Sequence, residues 1–148
     1  MDRSRLNTRN KLKEDQAKLN ADQAENKELV NEIKIMVGVL GHLKAPVSKV
    51  LEITAEDLKT QENELAFIER EREETETKYV LPSLPEKVTL TDQQRKDRTN
   101  LSTRNWSAKK KVFDKELLPR QLVAEKAKNN LLKTTKKALE VLKTEFIK

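Results

Sequence analysis

Apolar side chains at Leu29, Ile33, Met36, Leu40, Leu43, Val47 and Val50 follow one another at steps of four, three, four, three, four and three. That spacing is the seam of an α-helix packed lengthwise against another helix. Written as a heptad, the a row is Leu12, Leu19, Asn26, Ile33, Leu40 and Val47, and the d row holds Leu29, Met36, Leu43 and Val50. Asn26 is the lone amide of the a row. A buried amide there asks for a polar group opposite it and fixes register and strand number at a cost in stability. Asp15 and Asp22 stand at the preceding d positions, so the alternative is that the seam frays at Asn26. Val30, Val37 and Val39 widen the stripe beyond a two-stranded minimum, enough to meet two neighbours.

The same pattern divides the chain into five parts. Residues 1–45 read as the first coiled-coil helix, a rod of roughly 60 Å. Pro46 disfavours helical geometry at Ala45 and removes a donor, which predicts a kink or short break. Residues 46–79 form a second helix opened by a capping box at Thr54, with Leu58, Leu65 and Tyr79 on one row and Ile68 on another. Glu69 to Lys78 is almost wholly charged, so this stretch is expected to pair weakly or stand in water. Residues 80–90 contain Pro82 and Pro85 and form a joint. Thr89 or Thr91, the latter with Gln94 three residues on, caps a basic third helix over 91–118. Pro119 closes or kinks it, and 119–148 forms an amphipathic C-terminal helix on Leu132, Thr135, Leu139, Leu142 and Phe146 that can fold back.

Composition sharpens this picture. Of 148 residues, 38% are charged, 3% are aromatic and two are glycine, too polar for an ordinary globular core and too periodic for disorder. Extended helix remains, and its stability must come from a helix in cis or in trans. There is no cysteine, hence no thiolate metal site, disulfide or cysteine nucleophile. His42 has no second histidine to join it, and Gly38 and Gly41 lie inside a helix rather than in a phosphate-cradling loop. The sequence therefore reads as a non-enzyme without a metal or cofactor. No apolar stretch reaches the ~20 residues of a membrane-spanning helix, and the first residues lack the apolar core of a signal peptide. The expected location is nuclear or cytoplasmic, neither secreted nor membrane-bound.

The net charge of +6 is unevenly spread. Residues 1–91 hold 15 basic and 18 acidic side chains, whereas 92–148 hold 16 basic and 7 acidic. A basic end on a long rod is an electrostatic footprint for a polyanion. Its densest part runs from Arg98 to Phe113 without one acid and contains Arg104, Lys109, Lys110, Lys111 and the only tryptophan, Trp106. Arg98, Arg104, Lys109, Lys110 and Lys111 are the candidate nucleic-acid residues, acting on phosphates. Lys126, Lys128, Lys133, Lys136, Lys137 and Lys143 extend the basic character. Trp106 has two readings, a platform for a base or a packing anchor. The second is preferred here, with Trp106 and Phe113 packed under the Leu132, Leu139 and Phe146 face of the last helix.

This layout resembles the coiled-coil portion of the meiotic homologous-pairing family, also called Tat-binding-protein-interacting proteins. The resemblance rests on the Leu12 to Val50 seam, the junction at Pro46 with Thr54, the joint at Pro82 and Pro85 with Val88-Thr89, and Trp106 followed by Lys109, Lys110 and Lys111. The family's winged-helix DNA-binding domain has no counterpart here, and the last 30 residues do not match its tail. What the resemblance implies is one half of a heterodimer in the nucleus that touches DNA and helps a RecA-like recombinase in meiotic DNA recombination.

From the residues themselves the expectation is an all-α, elongated, kinked coiled coil. Its seam, Leu12 to Val50, would meet a coiled-coil protein partner, with a hetero-oligomer favoured over a homo-oligomer. Its basic end would contact DNA. The rival expectation is a cytoskeletal, kinetochore or trafficking scaffold with no nucleic-acid role.

Overall fold

A computed structural model describes residues 3–85 and 88–146; the first two residues, residues 86–87 of the joint and the last two of the terminal helix lie outside the described residues. The fold is all-α. Helix α1 spans Arg3–His42, α2 Val47–Lys78, α3 Asp92–Lys111 and α4 Leu118–Phe146, with a π-helical segment, Val112–Leu117, between the last two.

The seam of α1 is covered by α4 of the same chain. Contacts rise together along these two helices: Asn26 meets Glu125 and Asn129, Glu32 meets Lys136, and Leu40 packs with Leu139 and Leu142. They therefore run parallel. Along α2 and the last helical run the partners go in opposite senses, from Thr54 with Thr135 to Glu64 with Arg120 and Glu76 with Lys109, so α2 is antiparallel to both. Helices α1 and α2 touch little, because α4 lies along each of them. The main core sits where the three meet, at Leu40, Ala45, Val47, Leu139 and Leu142, with Ile33, Met36, Val37, Val50 and Leu51 packed onto it.

Each break has a local cause. Helix α1 ends in a Schellman-type turn: Ala45 N–H bonds to Leu40 O and Lys44 N–H to Gly41 O, both at 3.0 Å, with Lys44 in the left-handed region at φ 59°. Pro46 follows and prevents continuation, so the kink expected from sequence is a full reversal. Helix α3 opens with the expected capping box. The Gln94 N–H bonds to the Thr91 hydroxyl at 3.2 Å, and Thr91 N–H bonds to Gln94 Oε1 at 2.9 Å.

Several expectations need correction. Thr54 caps nothing: α2 already begins at Val47, after Pro46, and Thr54 is buried within it. Its hydroxyl lies 2.5 Å from that of Thr135, which itself donates to Leu131 O, so Thr54 is the donor of the pair. Pro119 does not close the third helix. In the π-helical segment Leu118 N–H reaches back five residues to Phe113 O, and this wider turn accommodates a proline that offers no donor. Helical structure thus continues from Asp92 to Phe146.

Because α4 continues α3, it cannot fold back on it, and the proposed anchor set separates. Leu132 and Leu139 are buried against α1 and α2, whereas Trp106 is 60% exposed and Phe146 46% exposed. Phe113 is half-buried beneath a side chain of α2, with the Arg72 guanidinium 5.1 Å from its ring centroid. Arg72 also donates to Gln121 Oε1 at 2.8 Å. Thr75 is buried, so the charged end of α2 keeps one packed face while most of its residues stand in water. Of the proposed oligomer seam, Leu19, Asn26, Leu29, Leu40 and Val47 are buried, and Leu12, Ile33, Met36 and Val50 half-buried, within one chain. Only Leu43 faces solvent. The seam's partner is intramolecular: α4 turns one flank to α1 and another to α2.

Candidate nucleic-acid interface

Helix α3 differs from the others in burying none of its residues. It carries seven basic side chains and two acidic ones over Asp92–Lys111, with Asp92 in its first turn, where the helix dipole favours an acid, and Lys109, Lys110 and Lys111 just before the π-helical segment. The five candidate cations fall into two groups. Arg98 donates to Pro82 O at 2.7 Å and tethers the joint. Lys109 pairs with Glu76 at 3.2 Å and ties α3 to α2. Arg104, Lys110 and Lys111 are exposed and have no anionic partner among the described residues; these are the cations free to meet phosphate.

The C-terminal lysines are less available than the sequence suggested. Lys133 pairs with Glu25 at 3.0 Å and Lys136 with Glu32 at 2.5 Å, so α4 uses two of them to hold α1. The acidic first half and basic second half of the chain thus neutralise each other along the bundle. The surplus of positive charge is left on α3. Lys133 first, and then the Asn129 side-chain amide, hold the Glu25 carboxyl below the usual glutamate range. Glu32 raises Lys136 above the usual lysine range through the same kind of contact.

Sequence reasoning missed the contribution of α1. The segment around Arg9 and Leu12 runs beside Trp106, and an open groove of about 440 Å3 lies between them, lined also by Lys110, Lys111 and Lys115. A second groove borders Trp106 on the side of Lys13, Gln16 and Leu118. Lys110 Nζ sits 4.8 Å from the centroid of the Trp106 ring, a cation–π contact. No sequence signal joined Arg9 to Trp106, since 97 residues separate them.

Among the described residues there is no group of three histidine, cysteine, aspartate or glutamate side chains that could hold a metal ion, and no helix is long and apolar enough to cross a membrane. His42 is exposed at the end of α1. Compared with family models, described proteins and solved structures, the chain matches none.

Proposed function

We propose that this chain is a structural and interaction protein: a self-packed helical bundle whose basic end, α3, holds nucleic acid through its phosphates without regard to sequence. The observation that supports this reading is the combination on one helix of a large positive surplus, no buried residue, and Arg104, Lys110 and Lys111 without an anionic partner among the described residues. Cations spent on folding, such as Lys133 and Lys136, are poor candidates by contrast. Contact with phosphate releases counterions, so affinity must fall steeply with salt.

The test is fluorescence anisotropy with labelled duplex DNA over a range of salt. Reversing Arg104, Lys110 and Lys111 to glutamate together should flatten the slope of log affinity against log salt by about 2 to 3, at ~0.9 per phosphate contact. An unchanged slope, or no binding at low salt, would sink the proposal. The narrower role implied by the resemblance, help to a RecA-like strand-exchange protein, belongs to the same proposal, and strand-exchange assays with this variant test it.

A protein partner has its own support. Ile35 and Val39 on α1 and Leu43 just past its end, four residues apart, are 68, 46 and 44% exposed and form an outer strip that α4 leaves uncovered. A coiled-coil partner would meet this strip rather than the buried seam. Analytical ultracentrifugation of Val39→Glu against the native chain reads this directly: loss of association in the variant supports the partner, and identical behaviour removes it.

A further inference from the structure

The groove beside Trp106 combines three properties that the phosphate reading alone does not require. A tryptophan is 60% exposed although the bundle buries Leu117 and Leu118 eleven and twelve residues further on. Its neighbour across the groove is apolar, Leu12 from α1. Cations from two separate helical runs, Arg9 on α1 and Lys110, Lys111 and Lys115 on the other, surround it. A volume of about 440 Å3 lies within the ~300–1,000 Å3 of ordinary small-ligand clefts. Lys110 steadies the ring from one side at 4.8 Å, and the exposure that remains leaves aromatic surface open.

We infer that this groove is a subsite for an unpaired base of a single-stranded nucleic acid, which stacks on Trp106 while the strand's phosphates meet Arg9, Lys111 and Lys115. The inference rests on the proposed basic-end reading and narrows its ligand. Every base has a π-face, so stacking on an indole is indifferent to sequence. In a duplex those faces are already stacked on one another, and only phosphates remain to be held. Trp106 is therefore the residue that separates single from double strand. A polyacid such as poly-glutamate would satisfy the cations but brings no ring or apolar side chain to the exposed indole and the apolar wall. Asp114 is the one acid among the lining residues of this groove, and it opposes phosphate there.

Trp106 is the only tryptophan, so intrinsic fluorescence of the native full-length chain reports on this ring. The probes are short oligo-dT, oligo-U, a DNA duplex of equal length, and poly-glutamate. Quenching by either single strand, with little by duplex or poly-glutamate, is expected. Trp106→Ala should lower single-strand affinity by roughly 5- to 150-fold, the range for loss of one stacked base, with duplex affinity almost unchanged. Trp106→Phe should keep part of that affinity. Asp114→Asn should tighten both ligands.

Should Trp106→Ala lose structure, Arg9→Glu with the native tryptophan provides the reading, and quenching should then shift to higher oligomer concentration. Equal quenching by duplex or by poly-glutamate overturns the inference. So does a single-strand to duplex affinity ratio that survives Trp106→Ala. If neither strand form binds with a salt dependence, the basic-end reading fails as well. Steep salt dependence without discrimination rejects the base subsite alone.

Discussion

The Asn129 side-chain amide donates to Oδ1 of Asn26 at 2.9 Å, linking the middle of α4 to a residue 103 positions earlier on α1. Asn26 in turn donates to the Glu125 carboxylate at 2.8 Å and to the Glu125 backbone carbonyl at 3.0 Å. All three residues are buried. The heptad's lone amide has therefore found its polar partner in cis, and this reverses the sign of its simplest test.

In a two-stranded seam, Asn26→Ile exchanges an amide for a better-packed side chain and raises stability. Here it strands a buried carboxylate and a buried amide. The expected outcome is a loss of about 2 to 4 kcal/mol from two groups left unsatisfied, read from urea melts followed by circular dichroism. A gain in stability would show that the polar layer is not formed.

Leu139 is wholly buried among Leu40, Ala45 and Val47, where α1 ends, α2 begins and α4 passes. Leu139→Ala should cost about 2 to 5 kcal/mol, the range for a large-to-small change in a packed core. Val123→Ala, on the 71% exposed outer face of the same helix, should stay within about 0.5 kcal/mol. Similar losses at both sites would contradict the burial pattern.

Lys44 adopts φ 59°, a conformation that costs an L-residue roughly 1 to 2 kcal/mol and glycine almost nothing. Lys44→Gly should recover about 1 kcal/mol at the α1–α2 reversal. Gly38 lies inside α1 with nothing within 4 Å of an added Cβ, so Gly38→Ala should add about 0.5 to 1 kcal/mol. Thermal melts of the two single variants and their combination check both signs.

The Glu25 and Lys136 shifts fix the pH dependence. Glu25 is lowered in the fold by Lys133 and then Asn129, so its contribution is present above the unfolded glutamate range and is lost as pH falls through the lowered folded value. Lys136 is raised by Glu32, so its contribution is present below the unfolded lysine range and is lost as pH rises through the raised value. Both pairs are solvated, and each effect is small. Glu25→Gln should flatten the acid limb of a stability-against-pH curve and leave the alkaline limb alone. Lys136→Met should do the reverse.

Periodicity by itself determined that this chain is helical, where α1 runs, that its stripe needs cover on more than one side, and where charge accumulates. These properties follow from residues within a few turns of one another: the four and three spacing of Leu29 to Val50, the Pro46 and Pro82 breaks, and the Thr91–Gln94 cap. Tertiary structure alone decided what covers the stripe. A seam states that a helix is wanted and not which one, and α4 met the need because Asn129, Glu125, Lys133 and Lys136 fall at the heights of Asn26, Glu25 and Glu32. Pro119 misled for a related reason: a proline marks a lost donor, but whether the helix stops or widens into a π turn depends on what α1 and α2 hold on either side of it. Hydrophobicity alone puts Trp106 in the core, yet the continuity of α3 with α4 leaves it in solvent beside Arg9. Contacts between residues about a hundred positions apart leave no periodic trace, and so the groove became visible only when the chain was folded.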